Sequence, residues 1–314
     1  MVQDLAKQII GKAVEVNAQD IYLIPKEGSY ELYMRIGDER RFCDVFEFDR
    51  LASLISHFKF VAGMNVGEKR RSQLGSCDYS YTQGEEVSLR LSTVGDYRGY
   101  ESLVIRLLYS GKQELRFWFE EDLKKLVTAV NERGLYLFSG PVGSGKTTLM
   151  YELVKQRYPD KQIITIEDPV EIKQDHMLQL QLNESIDMTY DSLIKLSLRH
   201  RPDVLIIGEI RDAKTAHAVI RASLTGATVF STIHAKSIPG VYARLLELGI
   251  SEKELENSLR GVAYQRLVGG GGVIDFVQNQ FQDHSAEEWN RKINSLFAEG
   301  HLTWEQAQSE KISD

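Results

Sequence analysis

The first hundred residues change their hydrophobic period several times. In "DLAKQIIGKAVEV" (4–16), Leu5, Ile9, Ile10 and Ala13 recur at helical spacing, which predicts an amphipathic helix. "DIYLIP" (20–25), "YELYMRI" (30–36), "EVSLRLSTV" (86–94) and "ESLVIRLL" (101–108) alternate or run apolar over strand lengths. "FDRLASLISHFKFVAG" (48–63) returns to the helical period. These elements predict an α+β domain over 1–108. A glycine and mixed charge in "YSGKQELRFWF" place a linker at 109–118. From 119 to 314 the pattern is helix–strand–helix, opening with "EEDLKKLVTAVNERG" (120–134). Four apolar runs follow: "LYLFS" (135–139), "IITIE" (163–167), "VLIIG" (204–208) and "TVFSTI" (228–233). Apolar strands alternating with helices predict an α/β domain, a mostly parallel sheet with helices on both faces. After the glycine run 269–272 come one strand-like run, "VIDFV", and two short helices. Thr303 with Gln306 makes a capping box for the last of these.

The first apolar run leads into "GPVGSGKTTLMYELV" (140–154), which reads G-x-x-x-x-G-K-T between a strand and a helix. That context is what a phosphate-binding P-loop requires. The loop Gly140, Pro141, Val142, Gly143, Ser144 and Gly145 would bind an anion, its glycines letting the backbone N–H groups turn inward, at a helix N-terminus that opens with Lys146, Thr147 and Thr148. Lys146 would reach the β/γ-phosphates, and the Thr147 hydroxyl would take a place on Mg²⁺.

Three other strand tips narrow the chemistry. "IITIEDPVEI" ends in Glu167 and Asp168, with Glu171 close behind; "VLIIGEIRD" carries Glu209, Arg211 and Asp212; "TVFSTIHA" ends in His234. In an open parallel sheet, ligands bind beyond the carboxyl ends of the strands, so these groups share the edge of the P-loop. Hydrolysis of a phosphoanhydride needs an aligned water and charge neutralisation. Glu209 would serve the Mg²⁺ shell, through water, or orient the attacking water, with Gly208 letting the strand end approach the metal. Glu167 is the other candidate for the water. His234 either senses the γ-phosphate or is a packed strand-end histidine. No N-K-x-D guanine signature is present, so the expected ligands are ATP and Mg²⁺.

Lys plus Arg number 38 and Asp plus Glu 45, a net charge of −7, which argues against general nucleic-acid binding. The charged N-terminus lacks a signal-peptide core, and no stretch approaches the ~20 apolar residues of a membrane span. A cytoplasmic protein that reaches the membrane through a partner is expected. Cys43 and Cys77 stand in no metal-ligand spacing and read as free thiols.

Together these stretches resemble the secretion ATPases of type II secretion and type IV pilus systems, over most of the chain. "AQDIYLIP" (18–25) is similar to the family's A-S-D-I-H-x-x-P opening, and "RLSTV" with "VIRLL" to its paired arginine strands. "EDPVE" matches its aspartate box, "GEIRD" its Walker B and "STIHA" the second half of its histidine box. The short N-terminus and reduced tail resemble the competence-pseudopilus members. The resemblance implies a RecA-like ATPase domain behind a smaller PAS-like domain. It also implies a homo-hexamer that drives pilin assembly on a polytopic inner-membrane platform protein, in the service of DNA uptake. Arg90 and Arg106 would then face the γ-phosphate. A retraction motor of the same fold and a DNA-translocating RecA-like ATPase are the alternative readings, although no sequence-specific nucleic-acid binding is expected. Three departures stand out. Ala227 in "TGATV" replaces the family's first box histidine, which leaves His234 alone. The family's "RIDG" turn is "RIGD" at 35–38. With only two cysteines, the family's four-cysteine zinc site is not expected.

Overall fold

Alternation along the N-terminal strands builds one sheet with a helical layer on a single face. The computed structural model describes residues 2–36, 39–109, 116–141, 143–170, 172–183 and 186–312. Part of the RIGD turn, most of the 109–118 linker, Val142 and Glu171 thus lie outside the described residues. The chain divides into two compact units, Met1–Lys112 and Gln113–Asp314.

In the first unit, α1 (Val2–Glu15) is followed by β1 (Asp20–Pro25), β2 (Ser29–Ile36), β3 (Glu39–Glu47) and α2 (Phe48–Val61). Then come β4 (Gln73–Thr82), β5 (Glu85–Gly95) and β6 (Glu101–Leu108). The sheet is antiparallel throughout, in the order β3-β2-β1-β6-β5-β4. Leu5, Ile9, Ile10 and Ala13 of α1 and Leu51, Leu54 and Phe58 of α2 pack on Ile21, Leu23, Leu89, Leu103 and Ile105. The edge strands β3 and β4 are not among the elements the pattern predicted. Most β3 positions are exposed and show little alternation; β4 does alternate, Cys77, Tyr79 and Tyr81 lying on its less exposed side, but small and polar residues fill the rest of it, so its period was not read from the sequence.

On the face turned away from the helices, one cross-strand row reads Arg40, Arg35, Asp20, Arg106, Arg90. Asp20 is its only acid. Its Oδ1 lies 2.8 Å from Arg106 Nε and its Oδ2 4.0 Å from Arg35 Nε. Arg106 therefore meets an anion within its own sheet.

The second unit contains α3 (Glu120–Ala129), β7 (Gly134–Ser139), α4 (Lys146–Arg157), β8 (Ile163–Glu167), β9 (Leu178–Gln181), α5 (Tyr190–Arg199) and β10 (Val204–Ile210). It continues with α6 (Ala213–Ser223), β11 (Thr228–Ile233), α7 (Ile238–Glu247), α8 (Glu252–Ser258), β12 (Leu259–Val268), β13 (Gly271–Val277), α9 (Glu287–Ala298) and α10 (Trp304–Glu310). Its sheet runs β13-β12-β7-β11-β10-β8-β9, parallel except for the β12–β13 hairpin. Two separate apolar clusters cover its faces, as near-continuous apolar strands require. The Thr303–Gln306 capping box forms at the start of α10. Strands β9 and β12 went unrecognised: β9 is only four residues long, and β12 carries Arg260, Gln265 and Arg266 among its apolar positions.

Lys59 is fully buried in the first unit, donating to Glu101 Oε1 at 2.5 Å and to the Glu68 carbonyl at 2.6 Å. Removing one member of a buried pair strands the other charge. Lys59→Met is expected to destabilise the unit by about 3–5 kcal/mol, with partial recovery in Lys59→Met/Glu101→Leu. Chemical denaturation of the whole chain, followed by circular dichroism, measures both.

Candidate functional site: the P-loop cavity

All six residues of β7 are buried, and the strand delivers the chain to Gly140 at φ +142°. A Cβ on Gly140 would lie 2.0 Å from the carbonyl oxygen of Gln265 in β12, so only glycine lets the two backbones meet. The Gln265 side-chain amide also donates to the Ser144 carbonyl at 2.7 Å. Strand β12 thereby holds the loop at both ends. Gly145, at φ +83°, is the N-cap of α4 and offers no capping side chain, whereas Thr189, Asp212, Ser237 and Ser251 cap α5 to α8. The positive end of the α4 dipole is therefore left for an anion. Lys146 Nζ donates to the carbonyls of Gly140 (3.0 Å) and Pro141 (2.7 Å), acceptors that a phosphate oxygen can replace.

A cavity of about 390 Å³ brings Gly143, Gly145, Lys146, Thr147 and Thr148 together with Glu167, Glu209 and His234. The strand-end residues thus share one space with the loop. Gly140, Pro141 and Ser144 do not line it; they shape the loop from behind. A larger cleft of about 540 Å³, lined by Glu132, Tyr242, Arg260 and Phe281 among others, contains none of the P-loop residues.

The two acids stand in different surroundings. Glu167 is 5 % exposed and accepts hydrogen bonds from Tyr151, Thr165 and Gln179. Glu209 is ion-paired with Arg211, which also reaches Asp168 at 3.2 Å, and its Oε2 lies 3.6 Å from His234 Nε2. Asp212 caps α6 through the Thr215 N–H and has a structural task. Burial and the neighbouring Asp168 charge push the Tyr190 hydroxyl up to about 12, so it stays protonated at the cavity wall. Burial, then the charge of Glu167, drives the Tyr151 hydroxyl far above its ordinary value.

A Cβ on Gly208 would meet the Tyr190 hydroxyl at 3.0 Å and the Ile166 carbonyl at 3.3 Å, so glycine there admits Tyr190 and β8. Ala227 is 5 % exposed in the core cluster, just before β11, whereas His234 follows that strand. Seven residues of strand separate them by roughly 20 Å, so within one chain the two positions cannot share a phosphate. Tyr151, Tyr190, Thr232 and Gln179 were not anticipated. For Tyr151 a signal existed: it lies four residues after Thr147 and so on the same helix face. Arg90 and Arg106 belong to the first unit's sheet, where they stand directly opposite each other.

An α/β fold with a glycine-rich strand-to-helix loop and two acids at the same sheet edge defines the class of ATPases. A family model described as type II/IV secretion system protein matches residues 1–294. The chain belongs to that family. It is 64 % identical to the competence protein ComGA of Streptococcus pneumoniae over 313 residues, covering 100 % of this chain and 99 % of the relative. ComGA of Bacillus subtilis is 36 % identical over 273 residues, 85 % of this chain and 76 % of that one. Type II secretion system protein E of Pseudomonas aeruginosa is 38 % identical over 272 residues, 84 % and 53 % of the two chains. Among solved structures, the pilus retraction motor PilT with bound ADP superposes with a TM-score of 0.75 at 24 % identity, covering 98 % of this chain and 97 % of its own. The Legionella pneumophila ATPase DotB gives 0.73 at 17 %, with 97 % and 94 % covered. Both show the likeness of fold.

Lys146→Ala should leave the fold intact, because the ammonium donates to carbonyls of the loop itself and bridges no two elements of the core through them. ATP affinity should fall by more than about tenfold, the worth of a charge-assisted hydrogen bond. Equilibrium ATP binding and circular dichroism on one sample measure both quantities.

Proposed function

We propose that the chain is an Mg²⁺-dependent ATPase whose hydrolysis of ATP powers assembly of a pilus-like filament for DNA uptake. The observation that carries this reading is the single cavity in which the uncapped start of α4, Lys146, Thr147, Glu167, Glu209 and His234 converge. The likeness to a competence protein over the whole chain supports the filament and the uptake role. We read the second unit as a RecA-like domain over 119–314, the first as a PAS-like domain over 1–108, and 109–118 as the linker between them. Six copies would form a ring at the cytoplasmic face of the membrane and act on a polytopic platform protein. No helix among the described residues is long and apolar enough to cross a membrane.

Phosphates would lie on the N–H groups of Gly143 to Thr148, with Lys146 on the β/γ oxygens. Mg²⁺ would take the Thr147 hydroxyl directly and Glu209 through water. Among the described residues no group of three His, Cys, Asp or Glu side chains could hold a metal alone. Mg²⁺ on a triphosphate needs no such cage, since phosphate oxygens and water complete its shell. Arg90 and Arg106, of this or a neighbouring subunit, would supply cations to the γ-phosphate. Arg106 is already paired with Asp20, so a γ-phosphate would be met by a guanidinium that its own sheet holds in place.

Four measurements test the reading. Purified wild type should hydrolyse ATP and stop when Mg²⁺ is chelated. Glu209→Gln should bind ATP yet hydrolyse it at least about a hundredfold more slowly, because a neutral amide cannot order the metal shell. Arg106→Ala in intact rings should lose on the order of 10³ in turnover with a far smaller loss of affinity, as removal of an arginine finger does. In cells, Lys146→Ala should abolish both the filament and DNA uptake; uptake at the wild-type level would overturn the proposal.

A further inference from the structure

Glu167 is gripped by one oxygen. Its Oε1 accepts from the Tyr151 hydroxyl at 2.7 Å, the Thr165 hydroxyl at 2.5 Å and the Gln179 amide at 3.2 Å. The Gln179 amide is itself fixed by the Ile172 carbonyl at 3.0 Å and lies 3.3 Å from the Tyr151 oxygen. Thr165 and Glu167 project from the same face of β8, and α4 brings Tyr151 over them. Tyr151 is 4 % exposed and Thr165 is fully buried, so water does not compete for these bonds.

All three donors are neutral, and together they fill the lone pairs of Oε1. Among the described residues Oε2 has no protein donor, while Glu167 lines the phosphate cavity. Glu209 is the opposite case. Its Oε1 meets the Arg211 guanidinium and its Oε2 faces His234, so both of its oxygens already have protein partners.

We infer that Tyr151 and Gln179 are positioning residues that fix Glu167 by one oxygen, so that the other orients the attacking water, while Glu209 serves the metal shell. This rests on the ATPase reading above and decides between its two acids. It also links two events through one helix. Thr147, proposed to meet the metal, and Tyr151, which holds the acid, lie about one turn apart on α4. A shift of α4 on nucleotide binding therefore moves the acid with it.

The test is a double-mutant cycle on the whole chain, reading ATP turnover and affinity for a fluorescent ATP analogue. Tyr151→Phe keeps the ring and removes one donor. It should lower kcat about ten- to a hundredfold, with affinity changed by about twofold or less, as loss of a hydrogen bond to a charged group implies. In a Glu167→Gln background, Tyr151→Phe should cost nothing further. Gln179→Leu, on the half-exposed strand β9, should reproduce the kcat loss if Tyr151→Phe does not fold. Additive losses, or wild-type turnover in Tyr151→Phe and Gln179→Leu, would overturn the inference. Wild-type turnover in Lys146→Ala would instead overturn the ATPase reading itself.

Discussion

The contact between two backbones at Gly140 is the constraint on which the cavity depends. Because no side chain stands there, the Gln265 carbonyl of β12 closes onto the end of β7, and the Gln265 amide ties down Ser144 from the same side. The loop between is anchored at both ends, and Gly145 leaves the start of α4 uncapped. A larger residue at Gly140 would force β12 or the loop to shift, and the anion site would lose its shape before any ligand arrived. The loop's geometry is thus a property of the sheet, transmitted by a strand more than a hundred residues later in the chain.

The parallel sheet then sets the chemistry around that loop. Strands β8, β10 and β11 all end at the edge where β7 ends, so Glu167, Glu209 and His234 reach one space without any of them being near another in sequence. Their surroundings differentiate them. Neutral hydroxyl and amide donors hold Glu167 in a nearly dry setting, whereas Arg211 and His234 attend the more open Glu209. Two carboxylates with different partners can divide the work of ordering water and ordering a metal. In the first unit, Asp20 plays a comparable part among arginines. It holds Arg106 in place on a sheet face where Arg35 and Arg90 stand in the same row.

By itself the sequence determined the P-loop, the apolar strands before the acids, the helical faces of α1 and α2, and the capping box of α10. Each is a local pattern: a glycine spacing, a period, or a pair of residues three apart. The family followed from those same boxes, because their order along the chain is as specific as their content. Tertiary structure alone decided what no local pattern carries. Edge strand β3 is mostly exposed and shows little alternation; β12 carries charged and amide residues into a buried strand, where the Gln265 amide bonds the P-loop and Arg266 pairs with Glu310. Asp20 and Arg106 are 86 residues apart and meet only through the pairing of β1 with β6. Tyr151 and Gln179 reach Glu167 because α4 and β9 flank β8, not because of any spacing between them. Ala227 and His234, seven residues apart, were separated by a fully extended strand. Sequence reports what a residue can do, and folding reports which partner it does it with, since hydrogen bonds and ion pairs act over a few ångströms of space rather than along the chain.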